Sequence, residues 1–233
     1  MSRDYFNLNE LTQYLGRNRR EVEKQVSRGQ IPGRRVAGEW RFHKTEITSW
    51  LEKELPNFSD SDLATLEQSQ DKAGDQYLLS NLLQPNLVIV PLDAGTKPSV
   101  LKQLVDTAML SWQVFNSASI LQAVRDREDV MSTSFDGGVA IPHPQNRMPD
   151  ALGESLLVFG RTVSGIPFGG SKRSLTDLFF LLLCRDDQTH LRALARLGRL
   201  FQQEGFLDSL RSLDDSQATY EFLIESDQAL ETS

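Results

Sequence analysis

Cysteine is almost absent from this chain, since Cys184 is the single one in 233 residues, and no intrachain disulfide can form. It ends the apolar run LFFLLLC, which predicts a buried, inert thiol rather than a nucleophile. No apolar run approaches the roughly 20 residues that span a bilayer. The N-terminus MSRDYFNLNE also lacks the apolar core of a secretory signal. These absences predict a cytoplasmic protein without membrane insertion.

Positive charge is scarce over most of the chain, whose net charge is -7. Residues 1–55 carry 11 Lys and Arg against 8 Asp and Glu, or +3, and residues 56–233 carry 14 against 24, or -10. The first segment therefore tolerates a polyanion better than the remainder does. A surplus of three does not by itself establish nucleic-acid binding.

Apolar residues are sparse from 56 to 76, where the chain reads PNFSDSDLATLEQSQDKAGDQ. This Ser-, Asp- and Gln-rich composition is typical of a linker, although Leu63 and Leu66 could form a short helical turn. We therefore predict a small basic domain over 1–55, a linker over 56–76 and a larger acidic domain over 77–233.

Two short helices and a hairpin are predicted in the basic domain. Asn9 is a candidate cap for the first helix, which Gly16 would end. The second helix would run from about 19 to 28, with Val22 and Val26 on its inner face. The segments IPGRRV and WRFHK then predict two strands joined by a turn through AGE.

This order of elements indicates a helix-turn-helix with a wing. A helix fits the major groove of DNA, where its side chains reach base edges. Arginine side chains on a wing can grip phosphates. The candidate DNA contacts are Arg20, Lys24 and Arg28 on the second helix and Arg34 and Arg35 on the wing.

Residues 5–52 also resemble the excisionase or MerR-like family of small DNA-binding domains. The matching segments are LNELTQYLG, REVEKQVSRGQIPGRRV and GEWRFHKTEITSWL. The resemblance implies binding to double-stranded DNA, and we expect a homodimer because so small a domain binds weakly alone. The alternative is a winged domain that binds protein or only dimerises.

In the acidic domain, helical patterns alternate with strand patterns, which predicts a layered α/β fold. The strand candidates are LVIV, GVAI, SLLVFGRTV and DLFFLLLC, of which the last two are apolar enough to be central. A strongly amphipathic helix is predicted over 189–202.

The chemistry centres on the segment DREDVMSTSFDGGVAIPHPQNR. Gly137 and Gly138 free the backbone before a short strand, and Pro142 stops that strand. His143 is thereby delivered on a loop at a strand end, where functional residues often lie. A neutral imidazole is nucleophilic near pH 7 and its phosphoramidate keeps a high transfer potential, so His143 suits phosphoryl relay.

Arg127 and His190 are the candidates for groups that support His143. An arginine near His143 would neutralise phosphoryl charge, and the predicted start of a helix at His190 favours anions. The alternatives are a salt bridge between Arg127 and a neighbouring acid, and a capping or packing role for His190. No cofactor or metal is predicted, because His43 has no Cys or second His near it in the sequence.

Residues 77–223 resemble the fructose- and mannitol-type enzyme IIA domains of the bacterial sugar phosphotransferase system, including the nitrogen-related branch. The matching motifs include REDVMST, GVAIPH and the later THL. The resemblance implies a mixed sheet flanked by helices, with His143 accepting phosphate from the carrier HPr or a paralogue. It also places Arg127 at the active site and His190 in support. Pro144 departs from the small residue usual after the histidine and has no N–H to offer a phosphoryl group.

Three functions from different classes remain open on this sequence. One is a regulator whose enzyme IIA-like domain senses phosphotransferase flux and adjusts DNA binding. Another is a phosphocarrier, a phosphohistidine phosphotransferase that passes phosphate to a sugar-specific component. The third is an adaptor that binds partners without being phosphorylated. The DNA-binding segment favours the regulator.

Overall fold

The computed structural model describes residues 4–70, 78–169 and 174–230, which form two compact units. The first unit holds the described residues up to 70 together with Leu191–Arg199, and the second holds the other described residues from 78 onward. Each unit has its own core of buried leucine, isoleucine, valine and phenylalanine side chains.

The first unit is a small helical domain with a short antiparallel sheet. Its sheet has the order β1-β3-β2, so the hairpin of the wing is joined by a strand near the N-terminus that the sequence patterns did not indicate. The elements are β1 (Tyr5–Phe6), α1 (Leu8–Leu15), α2 (Arg19–Ser27), β2 (Arg34–Val36), β3 (Glu39–His43), α3 (Lys44–Glu54), a 3-10 turn (Leu55–Asn57) and α4 (Asp60–Gln70).

Helix α1 begins earlier in the chain than the sequence pattern predicts. Its cap is Asn7, whose Oδ1 accepts from the Glu10 backbone N–H at 2.9 Å while the Glu10 carboxylate accepts from the Asn7 N–H at 2.7 Å. This reciprocal pair satisfies two helix-end donors, so the prediction of Asn9 as the cap is wrong. The helix ends at Gly16 as predicted, with φ 63°.

The stretch whose composition is typical of a linker contains a complete helix. In α4, Leu63 and Leu66 are buried, and the buried carboxylate of Glu67 accepts from Arg196 Nε at 2.5 Å and from Arg199 Nη1 at 3.1 Å. Two buried leucines and a carboxylate shared by two guanidiniums thus stabilise a polar segment. Residues 71–76 of that stretch lie outside the described residues, and the domain limits 1–55, 56–76 and 77–233 remain a prediction.

The second unit is built on a mixed five-stranded sheet of order β4-β7-β8-β6-β5. Strands β7 and β8 are antiparallel, whereas β4 runs parallel to β7 and β6 runs parallel to β8. The two most apolar strands lie centrally, as their sequences predicted. The strands are β4 (Val88–Ile89), β5 (Ser134–Phe135), β6 (Val139–Ala140), β7 (Leu156–Pro167) and β8 (Leu175–Leu183).

Helices flank this sheet, which confirms the predicted α/β class. Most of them start at a polar cap, such as Thr96 before α6 and Asp186 before α8. Among the described residues, no helix is both long enough and apolar enough to cross a bilayer. The helices are α5 (Leu78–Leu82), α6 (Lys97–Ala108), α7 (Ser117–Val130), α8 (Asp187–Gln202, whose middle belongs to the first unit), α9 (Phe206–Ser212) and α10 (Ser216–Ala229).

Candidate functional site

The five predicted DNA contacts all lie on the surface of the first unit. Arg20, Lys24 and Arg28 are exposed along α2 and its C-terminal cap, and Arg34 and Arg35 are exposed on β2. Arg34 pairs with Glu46 at 2.9 Å, while the Arg35 guanidinium lies 5.0 Å from the centroid of the Trp40 ring. Arg35 is therefore held against the face of the Trp40 ring. To bind a DNA phosphate, Arg34 would first have to leave the carboxylate of Glu46.

A cleft of about 670 Å³ separates α2 from the wing. Arg19 is held at its edge by Asn9, which accepts from Nη1 at 2.7 Å, and by Glu23 at 3.3 Å. Arg19 is not among the predicted DNA contacts, because positions 19, 23 and 27 form the stripe adjacent to 20, 24 and 28 on the helix. The cleft is lined by Asn9, Arg19, Glu23 and Ser27 from the helices and by Arg35, Trp40 and Arg41 from the wing.

In the second unit, a glycine turn sets the direction of the strand that leads to His143. Gly137 and Gly138 have φ of 89° and 77°, a backbone conformation that favours glycine. Arg211 donates from Nη2 to the Gly137 carbonyl, and its Nε and Nη2 each donate to the Asp177 carboxylate at 2.8 Å. The hydrogen bond with Asp177 raises the pKa of Arg211, so the Arg211 side chain that holds this turn stays charged at neutral pH.

His143 follows β6 and is buried, with 2% of its surface exposed. The Leu182 N–H donates to the Pro142 carbonyl at 2.9 Å and so continues the pairing toward β8. The imidazole Nδ1 lies 2.7 Å from the carbonyl oxygen of Ile141. Since a carbonyl can only accept, Nδ1 carries the proton, and the neutral ring keeps its lone pair on Nε2.

His190 lies beside His143, in the first turn of α8. The two ring centroids are 4.9 Å apart, with the planes inclined by 61°, and His190 is fully buried. The helix start is fixed by Asp186, whose Oδ1 accepts from the Thr189 N–H at 2.9 Å. The tertiary structure thus brings together two histidines that are 47 positions apart in the sequence, while their roles remain a prediction.

Arg127 is buried near the end of α7. Its Nη1 donates to the carbonyl of Met131 at 2.8 Å, which braces the turn that leaves the helix. The neighbouring carboxylate, Glu128, pairs with Lys97 at 2.8 Å. Arg127 therefore stabilises the backbone at Met131, in the segment that leads to His143. Its contact with a phosphoryl group remains a prediction.

A series of hydrogen bonds that the sequence patterns did not indicate connects His143 to an ion pair between the partly exposed Lys97 and the buried Glu128. Glu128 Oε1 accepts from the Thr133 N–H at 2.9 Å and also from the Thr133 hydroxyl. The Thr133 carbonyl accepts from the Ile141 N–H at 3.2 Å, and the Ile141 carbonyl accepts from His143 Nδ1. We call the series Lys97–Glu128–Thr133–Ile141–His143 the relay. Its hydrogen bonds hold the carbonyl of Ile141 in place, and that carbonyl determines the tautomer of His143.

Arg147 is a further cation that the sequence analysis did not single out. It follows His143 by four residues, and its Nε lies 3.4 Å from Asp187 Oδ1, while its Nη2 donates to the Gln145 carbonyl at 3.0 Å. Burial raises the pKa of the nearby Cys184 thiol to about 12, against an opposing effect of the Arg147 charge. Cys184 is therefore inert at neutral pH, as its apolar sequence context predicted.

Residues 81–226 match the family described as the phosphoenolpyruvate-dependent sugar phosphotransferase system, EIIA 2. The chain belongs to this family. Its EIIA domain is accompanied by a second match, over residues 5–54, to a family described as a helix-turn-helix domain. Both resemblances found in the sequence are thereby confirmed.

Relatives of the EIIA domain include proteins named as nitrogen regulatory and proteins named as fructose- or mannitol-specific. A nitrogen regulatory protein of Bradyrhizobium diazoefficiens is 31% identical over 148 residues, which are 62% of this chain and 94% of that protein. The nitrogen regulatory protein IIA-Ntr of Neisseria meningitidis has a similar fold, with a TM-score of 0.57 at 23% identity over 63% of this chain and 99% of that one. A complex of enzyme IIAMTL and phosphorylated enzyme IIBMTL from Escherichia coli aligns with a TM-score of 0.51 at 17% identity, over 63% and 97%.

The EIIA domain of this chain has a proline directly after His143. Pro144 is buried and directly follows the proposed acceptor in the chain. Because proline has no backbone N–H, this position offers no main-chain donor to an incoming phosphoryl group. Any phosphoryl oxygen at this site therefore has to be bound by other donors.

Proposed function

We propose that this chain is a regulator linked to the phosphotransferase system, in which phosphorylation of His143 in the EIIA domain controls DNA binding by the helix-turn-helix domain. The observation that carries the proposal is the hydrogen bond from His143 Nδ1 to Ile141. It leaves Nε2 as the nucleophile, in a chain that also has a helix-turn-helix domain. Both a phosphocarrier donor and DNA are available in the cytoplasm, where we expect the protein to act.

The proposed phosphoryl transfer requires no proton to leave His143. Nε2 attacks the phosphorus of a phosphohistidine on an HPr-type donor, a new N–P bond forms, and the donor N–P bond breaks with its electron pair returning to the donor ring. The positive charge that His143 gains is stabilised by the Ile141 carbonyl through Nδ1–H. In this proposal His190 and Arg127 bind the phosphoryl oxygens.

Access to the imidazole is part of the reaction. Because His143 is 2% exposed, a protein donor can reach Nε2 only after the surroundings of the ring move. Transfer in the proposed mechanism is therefore preceded by an opening step, and its rate depends on how often that step occurs.

The DNA side of the proposal rests on the exposed cations of the first unit. Arg20, Lys24 and Arg28 would face the major groove, while Arg34 and Arg35 would bind phosphates from the wing. Replacement of both wing arginines by alanine should weaken binding to all sequences. It should also reduce the slope of log K against log salt by about 0.9 for each phosphate that the variant no longer neutralises.

Control of DNA binding by the phosphoryl group needs a change of contact rather than long-range repulsion. A phosphoryl group adds roughly one to two negative charges, but exposed charges are screened beyond about 8 Å at physiological ionic strength. A contact surface around His143 that differs between two states could supply about 1 to 3 kcal/mol, or a change in DNA affinity of roughly 5- to 150-fold.

The test treats the full chain with a phosphorylated HPr-type protein and measures label and DNA affinity together. We expect one acid-labile phosphoryl group, absent from His143→Ala, and a shift of DNA affinity on phosphorylation of the wild type alone. His43→Ala is the matched control for the label alone, because His43 is a histidine outside the EIIA domain and should not carry the phosphoryl group. Label that persists in His143→Ala contradicts the acceptor, and equal DNA affinity in both phosphorylation states contradicts the regulatory coupling.

A second candidate, a phosphocarrier, is favoured by the location of the histidine pair. Both histidines and the relay lie within the second unit, so the EIIA domain contains its own acceptor. The distinguishing measurement is passage of the label from His143 to a sugar-specific component with no effect on DNA binding. Absence of any label would instead support the adaptor, which binds partners without being phosphorylated.

A further inference from the structure

The loop that connects α6 and α7 in the second unit is uncharged and rich in apolar residues. Four of its side chains are unusually exposed for their type, namely Met109 at 47%, Leu110 at 54%, Trp112 at 87% and Phe115 at 67%. Single exposed apolar residues are ordinary on protein surfaces, but a cluster that includes aromatic and methionine side chains marks an interaction site. We call these four residues the loop patch.

The loop patch is held rigidly by its backbone. The Phe115 N–H donates to the Ala151 carbonyl at 2.9 Å, and the Gly153 N–H donates to the Gln113 carbonyl at 2.8 Å. Leu110 is fixed through its own carbonyl, which accepts from the Asn86 side chain at 2.9 Å. Because the loop is already ordered, little conformational entropy is lost when a partner covers it.

Trp112 is held in a conformation that side chains of its kind rarely adopt. Its φ is 62° and its ψ is 10°, in the left-handed region, which is strained for a large residue other than glycine. Its N–H donates to the Met109 carbonyl at 3.1 Å. The strained backbone therefore occurs at the residue with the most exposed side chain of the four. This favours a role for the indole ring in binding.

Charge identifies the occupant that fits the loop patch. The 18 residues from 107 to 124 contain no Asp, Glu, Lys or Arg, although residues 56–233 carry a net charge of -10. A basic partner would be recognised by acidic groups, and this segment has none to offer. Two copies of the acidic second unit repel each other where their charged surfaces meet, so the uncharged segment is the face on which two of these units can approach at the least electrostatic cost.

We infer that the loop patch is the surface through which two copies of this chain associate. A two-fold contact would be self-complementary, with Trp112 of each copy packed against the loop of its partner. Such a dimer would also present two helix-turn-helix domains, as paired half-sites in DNA require. This last consequence rests on the proposed function, but the contact itself does not.

The experiment is sedimentation equilibrium of the full chain over a range of protein concentrations without DNA, so that it is independent of DNA binding. We expect a dimer that dissociates on dilution, with a dissociation constant raised at least about 30-fold in Trp112→Asn, as for a central interface residue. Asparagine tolerates the left-handed backbone, so this variant keeps the loop conformation. Leu110→Ser gives a second, independent disruption.

Val163→Thr is the matched control, since Val163 is 84% exposed on β7 and outside the loop patch. It should leave the dimer constant unchanged, and circular dichroism should show the native fold in every variant. A wild type that is monomeric at all concentrations overturns the inference. So does a dimer whose constant is the same in Trp112→Asn, Leu110→Ser and the control.

Discussion

Replacing Glu128 by glutamine tests whether the relay holds His143 in its reactive tautomer. The change is nearly isosteric, and the amide oxygen can still accept from the Thr133 N–H. It removes the negative charge from a side chain that is fully buried and lies 2.8 Å from Lys97 Nζ. The perturbation therefore acts on the ion pair at one end of the relay, at a distance from the imidazole.

The size of the effect follows from the full burial of Glu128 in this ion pair. At an effective dielectric constant of about 20, unit charges 2.8 Å apart attract by roughly 6 kcal/mol before desolvation is subtracted. Removal of one partner of a buried pair costs about 3 to 5 kcal/mol. Lys97 is 24% exposed and can be partly hydrated, so we expect about 3 kcal/mol. This corresponds to a change on the order of 100-fold in the local opening equilibrium.

Nuclear magnetic resonance measures both ends of the relay. In Glu128→Gln, exchange of the Ile141 amide hydrogen should accelerate on the order of 100-fold if it follows local opening, and the fraction of His143 with its proton on Nε2 should rise. Phosphoryl transfer should slow in parallel. Asp129→Asn is the matched control, because it makes the same charge change at an exposed position of the same helix.

Two outcomes would contradict the effect expected of Glu128→Gln. A wild-type His143 that carries its proton mainly on Nε2 would contradict the assignment of the nucleophilic nitrogen. Equal exchange rates at Ile141 in Glu128→Gln and in the control would show that the ion pair does not stabilise the relay.

The remaining predictions concern a buried carboxylate, a buried thiol and a proline. Glu67→Gln should lower the free energy of unfolding by about 3 to 5 kcal/mol in urea titrations, because two guanidiniums share that carboxylate, whereas Asp60→Asn, at an exposed pair, should cost no more than about 1 kcal/mol. Cys184 should react with a thiol reagent at pH 8 only on unfolding, since a pKa of about 12 leaves roughly one thiolate in ten thousand; rapid labelling of native protein would contradict its burial. Pro144→Ala restores a backbone N–H and should speed phosphorylation of His143 if that missing donor limits the rate; an unchanged rate would exclude this cause.

Local signals explain why much of the architecture could be predicted from the sequence. The period of apolar residues located α2, α8 and the two central strands, and the pair Gly137–Gly138 with Pro142 placed His143 at a strand end. Such signals act over a few residues, because they reflect backbone conformation and the alternation of side chains between faces. The charge difference between the two parts of the chain was likewise visible without coordinates.

Long-range packing decided what no local pattern contains. Glu67 and Arg196 are 129 positions apart and meet only in the folded chain, so a stretch with the composition of a linker became a packed helix. Lys97 and Glu128 form an ion pair across 31 positions in the same way.

The sequence determined that His143, His190 and Arg127 are present. The tertiary structure determined that the two histidines adjoin and that the Ile141 carbonyl fixes the proton on Nδ1. The physical reason is that tautomers, ion pairs and burial depend on neighbours brought together by the core, and most of these neighbours are distant in the chain.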